Sequence, residues 1–128
     1  MIVKPDGVAR GLVEEVFERV EIKGYKIERM ETRSVDRDLA LNHYGEHEGE
    51  AFFDDLISFI TSGPVVVAII SGKGCIEGLR EIMGSTNPEK AAPGTIRSDF
   101  GTSIRKNIVH GSDSPTSAAR EIALFFPE

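Results

Sequence analysis

The chain predicts an α+β ferredoxin-like sandwich, a four-stranded antiparallel sheet with helices on one face. Three observations carry this expectation. Periodic segments succeed one another in the order β-α-β-α-α-β-α-loop-β-α. One of them, residues 65–70, is an unbroken apolar run (Val65, Val66, Val67, Ala68, Ile69, Ile70) of strand length, as a central buried strand requires. The 128 residues fit a single domain, and a chain of that size buries about two-thirds of its unfolded surface, enough for a core. No internal repeat, linker or low-complexity segment interrupts the order.

Residues 1–4 read as the end of a strand, cut short by Pro5, Asp6 and Gly7. Leu12, Val13, Val16, Phe17 and Val20 then recur at helical spacing, and Gly24 closes that helix. Residues 25–33 alternate raggedly, a strand with one polar face. Asp36 can cap a short helix through Leu39 and His43. A second helical pattern runs through Phe52, Phe53, Leu56, Ile57 and Ile60 and stops at Gly63 and Pro64. After the buried strand, Ile76, Leu79 and Met83 mark another helix. Residues 84–107 show no period and carry Gly, Asn, Pro, Ser and Thr throughout, a loop long enough to have a task of its own. Ile108 and Val109 form a short last strand. Ser114 and Pro115 open a helix to about Leu124, with proline at the position that tolerates it.

Composition excludes several classes. Fifteen basic against twenty-one acidic side chains leave a formal charge of -6, which argues against nucleic acid as a partner. A small anionic ligand remains compatible, because a few local cations dominate at short range. The single cysteine, Cys75, excludes an internal disulfide and reads as a small packed residue of a reducing compartment. No apolar run approaches the ~20 residues of a membrane span and no signal pattern opens the chain, so the expected setting is the cytoplasm.

The chemistry concentrates in residues 107–114. Ile108 and Val109 deliver His110 to a tight polar turn of Gly111, Ser112 and Asp113, and the helix opened by Ser114 and Pro115 carries Glu121. This places an imidazole at the rim of a cleft with a hydroxyl and a carboxylate to orient it. Largely neutral near pH 7, the ring keeps one nitrogen lone pair for nucleophilic work. Two phosphate-binding motifs are absent: there is no Gly-x-x-x-x-Gly-Lys-Ser/Thr loop. Gly72, Gly74 and Gly78 miss dinucleotide-fingerprint spacing by one residue. Phosphates, if bound, must therefore be held by side chains.

The run Asn107, Ile108, Val109, His110, Gly111, Ser112, Asp113 resembles the active-site signature of the nucleoside diphosphate kinases. The resemblance extends to Val3 through Gly7, to His43 and Tyr44 followed by Phe52 and Phe53, and to Thr86, Asn87 and Pro88. It continues through Pro93, Gly94, Thr95, Ile96 and Arg97, then Asp99 and Phe100, in family order over almost the whole chain. It implies the same sandwich fold, one domain over 1–128 shortened at both ends, and transfer of a γ-phosphoryl group between nucleotides through phosphorylated His110. By the same carry-over, Lys4, Tyr44, Arg80, Thr86 and Arg97 contact phosphates, and Lys4 and Asn107 meet the sugar hydroxyls. Phe52 stacks on the base, Ile104 closes its other face, Leu56 lines that pocket, and Ser112 and Glu121 orient the histidine. Mg²⁺ bridges the phosphates, held by substrate and water. The family assembles as homo-oligomers, and a hexamer is expected here.

The competing reading is a nucleotide-binding module of this fold that has lost turnover; the complete set of implied residues favours the enzyme. A zinc site at His43 and His47, four apart, is disfavoured. Tyr44 stands where a zinc protease needs its glutamate, and Gly45 weakens the helix. Structural hydrogen bonding is expected of these histidines.

Overall fold

Side chains alternate across a strand, and in residues 65–68 both alternating sets are apolar, so both faces of this strand need cover. The computed structural model describes residues 1–127. Its strands β1 (Ile2–Val3), β2 (Lys26–Arg33), β3 (Val65–Ser71) and β4 (Val109–His110) form one antiparallel sheet in the order β2-β3-β1-β4. Lys26 pairs with Ser71 at one end of the β2–β3 ladder and Arg33 with Val65 at the other, with an irregularity between Ile27 and Arg29. Ile2 lies opposite Val67 on one side and His110 on the other. Since β1 and β2 both run antiparallel to β3, they are parallel to each other with β3 between them. By the same logic β3 and β4 flank β1. Two interlocked β-α-β units result, the predicted ferredoxin-like sandwich.

The helices are α1 (Pro5–Ala9), α2 (Val13–Ile22), α3 (Arg37–His43), α4 (Phe53–Ile60), α5 (Cys75–Met83), α6 (Ile96–Phe100) and α7 (Pro115–Phe125). They cover both faces of the sheet rather than the one expected. Val3, Val66, Ala68 and Val109 pack with Val16, Phe17 and Val20 of α2 and Leu79, Ile82 and Met83 of α5. Ile2, Val65 and Val67 pack with Ala40 of α3, Ile57 and Ile60 of α4 and Phe125 of α7. Each of the larger side chains among them contributes about 1.5–3 kcal/mol, and neither apolar face could be left in water. The register places His110, opposite Ile2, on the second of these faces.

Local signals set the helix starts. The Asp36 carboxylate accepts from the Leu39 amide at 2.8 Å, and the Ser114 hydroxyl accepts from the Ser117 amide at 3.1 Å, with Pro115 in the first turn of α7. Two short helices escape a periodicity argument. Pro5, Asp6 and Gly7 do more than stop β1: they begin α1. The segment 84–107, expected without regular structure, contains the 3-10 turn Pro88–Lys90 and helix α6, capped by Asn87 and Thr95. Five residues complete little more than one turn, too few to show a repeat.

The last strand begins one residue later than expected, at Val109, because Ile108 adopts a φ of 75°. That region costs a β-branched residue on the order of 1–3 kcal/mol, and surrounding structure must hold it there. The Ile108 amide donates to the Asp6 carboxylate at 3.1 Å, and its carbonyl accepts from the Lys4 amide at 2.8 Å. Gly7 permits the approach, since a Cβ there would lie 2.7 Å from Val3 Cγ1 and 3.0 Å from Ile108 Cγ2. The start of the chain thus braces the turn that delivers His110. Among the described residues no helix is long and apolar enough to cross a membrane.

Candidate active site

Two residues past this strained turn, the His110 Nε2 lies 2.7 Å from Glu121 Oε1 on α7. The same carboxylate oxygen accepts from the Ser112 hydroxyl at 2.9 Å. Burial works to raise the Glu121 pKa, but the hydrogen bond and charge of His110, with the Ser112 bond, outweigh it and hold the carboxyl near 2. An ionised carboxylate can only accept, so Nε2 carries the proton and Nδ1 the lone pair. Nδ1 makes no hydrogen bond among the described residues. The imidazole pKa is itself lowered, first by burial, although the Glu121 bond opposes the shift. The ring therefore stays neutral and nucleophilic around neutral pH.

His110 faces a cleft of about 620 Å³ whose wall is cationic although the chain is acidic overall. Lys4, Arg80, Arg97, Arg105 and Arg120 line it, against the carboxylates of Asp113 and Glu121. Lys4, at the end of β1, is only 8% exposed and donates to Asn107 Oδ1 at 2.8 Å, while Asn107 Nδ2 donates to the Thr86 carbonyl at 3.0 Å. Burial, then the charge of Arg97, lowers the Lys4 pKa to about 8. Arg97 enters from α6 and is pinned: Nη1 donates to the Gly84 carbonyl at 2.9 Å and Nη2 to the Val109 carbonyl at 2.7 Å. Its Nε, also buried, has no partner. Burial, then the neighbouring Arg80, brings its pKa down to about 10, so the guanidinium remains charged at neutral pH. Burial also pushes the Tyr44 phenol up to about 12 and keeps it a hydroxyl donor.

The cleft gathers Lys4, Tyr44, Phe52, Leu56, Arg80, Thr86, Arg97, Ile104, Asn107, His110 and Glu121 from segments spread along the whole chain. Ser112 stands behind the wall, reaching the site through Glu121. Phe52, at the N-cap position of α4, projects into the cleft, whereas Phe53 packs on the core. Ile104, at the edge of the cleft, is 55% exposed. Residues 107–113 needed no help from chain order to be found. Arg105 and Arg120 carry no local signal, because their placement depends on contacts between distant segments. Arg120, for example, is fixed by the carbonyls of Asn42 and His43 at 3.0 and 3.2 Å.

His43 departs from the expectation of a hydrogen-bonded histidine. It is 3% exposed with both ring nitrogens unpartnered, and packs by its ring against Tyr44, His110 and Phe125 at centroid distances of 4.5, 4.8 and 5.3 Å. Burial, then the charge of His110, depresses its pKa to about 3, so it serves as a neutral aromatic plate. His47 meets Glu50 at 3.4 Å and lines the cleft. Among the described residues, His43, His110 and Glu121 bring their ligating atoms within 4.8 Å of one another.

Comparison with known proteins gives the family of the chain. The family described as Nucleoside diphosphate kinase matches residues 1–128. The chain is 56% identical over 128 residues to a nucleoside diphosphate kinase of Carboxydothermus hydrogenoformans, spanning all of this chain and 86% of that protein. Its fold superposes with a TM-score of 0.96 on a halophilic nucleoside diphosphate kinase from Halobacterium salinarum in complex with CDP, at 46% identity, covering 99% of this chain and 85% of that one. The nucleoside diphosphate kinase of Encephalitozoon cuniculi gives a TM-score of 0.97 at 34% identity, covering 99% and 86%. With a family match over its whole length and relatives this similar, the chain belongs to the nucleoside diphosphate kinase family.

Proposed function

We propose that this protein moves the γ-phosphoryl group of a nucleoside triphosphate to a nucleoside diphosphate through phosphorylated His110. The observation that carries this reading is the division of labour on one imidazole: Nε2 is tied to Glu121 and the Nδ1 lone pair is left to a cationic cleft. Nδ1 attacks the γ-phosphorus, the bond to the bridging oxygen breaks, and the diphosphate leaves. A β-phosphate oxygen of the second diphosphate then takes the phosphoryl group and returns the lone pair to Nδ1. The transition state is loose and spreads charge over the phosphoryl oxygens, so positioning and electrostatics do most of the work. Arg80, Arg97, Thr86 and Tyr44 hold phosphates; Lys4 and Asn107 take the sugar hydroxyls, with Lys4 also near phosphate. Phe52 stacks on the base, with Ile104 across from it and Leu56 beside them. Glu121 and Ser112 fix the ring.

Mg²⁺ would enter with the substrate and supply charge neutralisation at the phosphates. The residues present do not make a protein cage for it: Glu121 is engaged by His110 and Ser112, and Asp113 is exposed.

Initial rates measured with both nucleotides varied give parallel lines, because one site serves donor and acceptor in turn; intersecting lines refute the covalent route. Since Lys4 titrates near 8 in the free protein, it is cationic below that pH and neutral above. The kcat/KM profile, which reports free-enzyme groups, falls on an alkaline limb near pH 8. A flat profile to pH 9.5 contradicts the role of Lys4. The exposed Ile22 and Met30 and the open edge of β2 support a homo-oligomer, proposed as a hexamer. Light scattering that returns the 14.0 kDa monomer mass at micromolar concentration contradicts it.

A further inference from the structure

The base slot of this cleft contains a cation that the chemistry above does not use. Phe52, Leu56 and Ile104 offer faces and methyl groups but no hydrogen bonds, and choice among bases needs donors or acceptors at a base edge. Arg105, the neighbour of Ile104, lines the same cleft, with its guanidinium carbon 5.6 Å from the centroid of the Phe52 ring. It is half-buried, and among the described residues it takes part in no ion pair and no hydrogen bond. Arg97 and Arg120 instead spend donors on backbone carbonyls, and Arg80, the remaining arginine of the cleft, is the one assigned above to phosphate. Arg105 thus brings a planar fork of unspent donors, with no acceptor, to the rim where a base stacks.

We propose that Arg105 biases this slot toward bases that present a keto oxygen, guanine first. The inference rests on the nucleotide-transfer reading of the same site and adds a base preference to it. A base sliding onto Phe52 displaces the guanidinium from the ring face toward the base edge, where the donors select. Guanine presents O6 and N7 side by side, which a guanidinium engages with two bonds. Adenine sets an amino donor beside N7, so donor meets donor. Uracil offers the single O4 acceptor, and cytosine an amino group in its place. At a solvent-accessible rim the selection is modest, about fivefold for guanine over adenine and about twofold for uracil over cytosine. All four remain substrates because stacking tolerates any base.

The test compares kcat/KM for GDP, ADP, UDP and CDP as acceptors with one phosphoryl donor, in the wild type and in Arg105→Met, which keeps the apolar stem and removes the fork. The wild type is expected to favour GDP over ADP about fivefold and UDP over CDP about twofold, and Arg105→Met to bring both ratios close to one. Each ratio is taken on one preparation, so a partly unfolded variant cannot mimic the result. Flat ratios in the wild type, or ratios that survive in Arg105→Met, overturn the proposal. Labelling of His110 from γ-labelled ATP, run alongside, separates the two levels. Label with flat ratios removes only the role of Arg105, whereas a wild type that takes no label removes the transfer reading and this proposal with it.

Discussion

His110→Ala loses phosphoryl transfer by on the order of 10⁴–10⁶-fold, because the variant has no second nucleophile on which to carry the group. The neighbours that orient the ring cannot substitute for it. Glu121 is ionised and hydrogen-bonded, and the Ser112 hydroxyl points at Glu121 rather than into the cleft. His43 is close but holds neither nitrogen toward a partner, and its ring packs edge-on to His110. His110→Gln distinguishes chemistry from architecture. Its amide can still donate to Glu121 and support α7, yet it cannot be phosphorylated as an imidazole can. Both variants are expected to fold and both to be inactive. A His110→Gln rate within a hundredfold of wild type, in steady-state assays, contradicts the nucleophile.

Arg97→Ala is expected to lose both stability and activity. The guanidinium holds the carbonyl of Gly84, at the end of α5, and that of Val109, the residue before His110. Removing it leaves two inward-facing acceptors without their donor, at about 1–3 kcal/mol each for a buried unsatisfied group. A loss of about 3 kcal/mol lowers Tm by about 10 °C for a domain of this size. The same change removes a charge proposed to face the phosphates, where charge-assisted bonds are worth about 1.5–3 kcal/mol, so kcat/KM falls by about ten- to a hundredfold. Arg97→Lys should recover part of the activity and little of the stability, since one ammonium cannot span both carbonyls. A melting curve for Arg97→Ala that overlays the wild type contradicts the bracing role.

Much of this fold is legible in the order and periodicity of the residues. Strong periods gave α2 and α5, and the apolar run 65–70 gave the central strand. The element order gave the sandwich. The second helical layer was legible only in part, because an unbroken apolar strand declares two buried faces without naming what covers them. The helices α1 and α6 were hidden by their length. The φ of Ile108 was hidden because nothing in a β-branched residue announces a left-handed turn; Asp6, more than a hundred residues away in sequence, imposes it. At the site, the resemblance named the residues and the geometry supplied what a motif cannot. It shows that Nε2 rather than Nδ1 is tied, that Arg97 is pinned by carbonyls, that His43 has no partner, and that Arg105 stands over Phe52.

The central claim is a phosphoryl group carried on His110. Incubation of the protein with γ-labelled ATP and Mg²⁺, followed by denaturation and peptide mapping, measures it directly. The expected result is one label per chain on the peptide that contains His110, stable in alkali, lost in acid as a phosphoramidate is, and discharged by added nucleoside diphosphate. A wild type that turns over without taking up label, or a label that persists in His110→Ala, would contradict it.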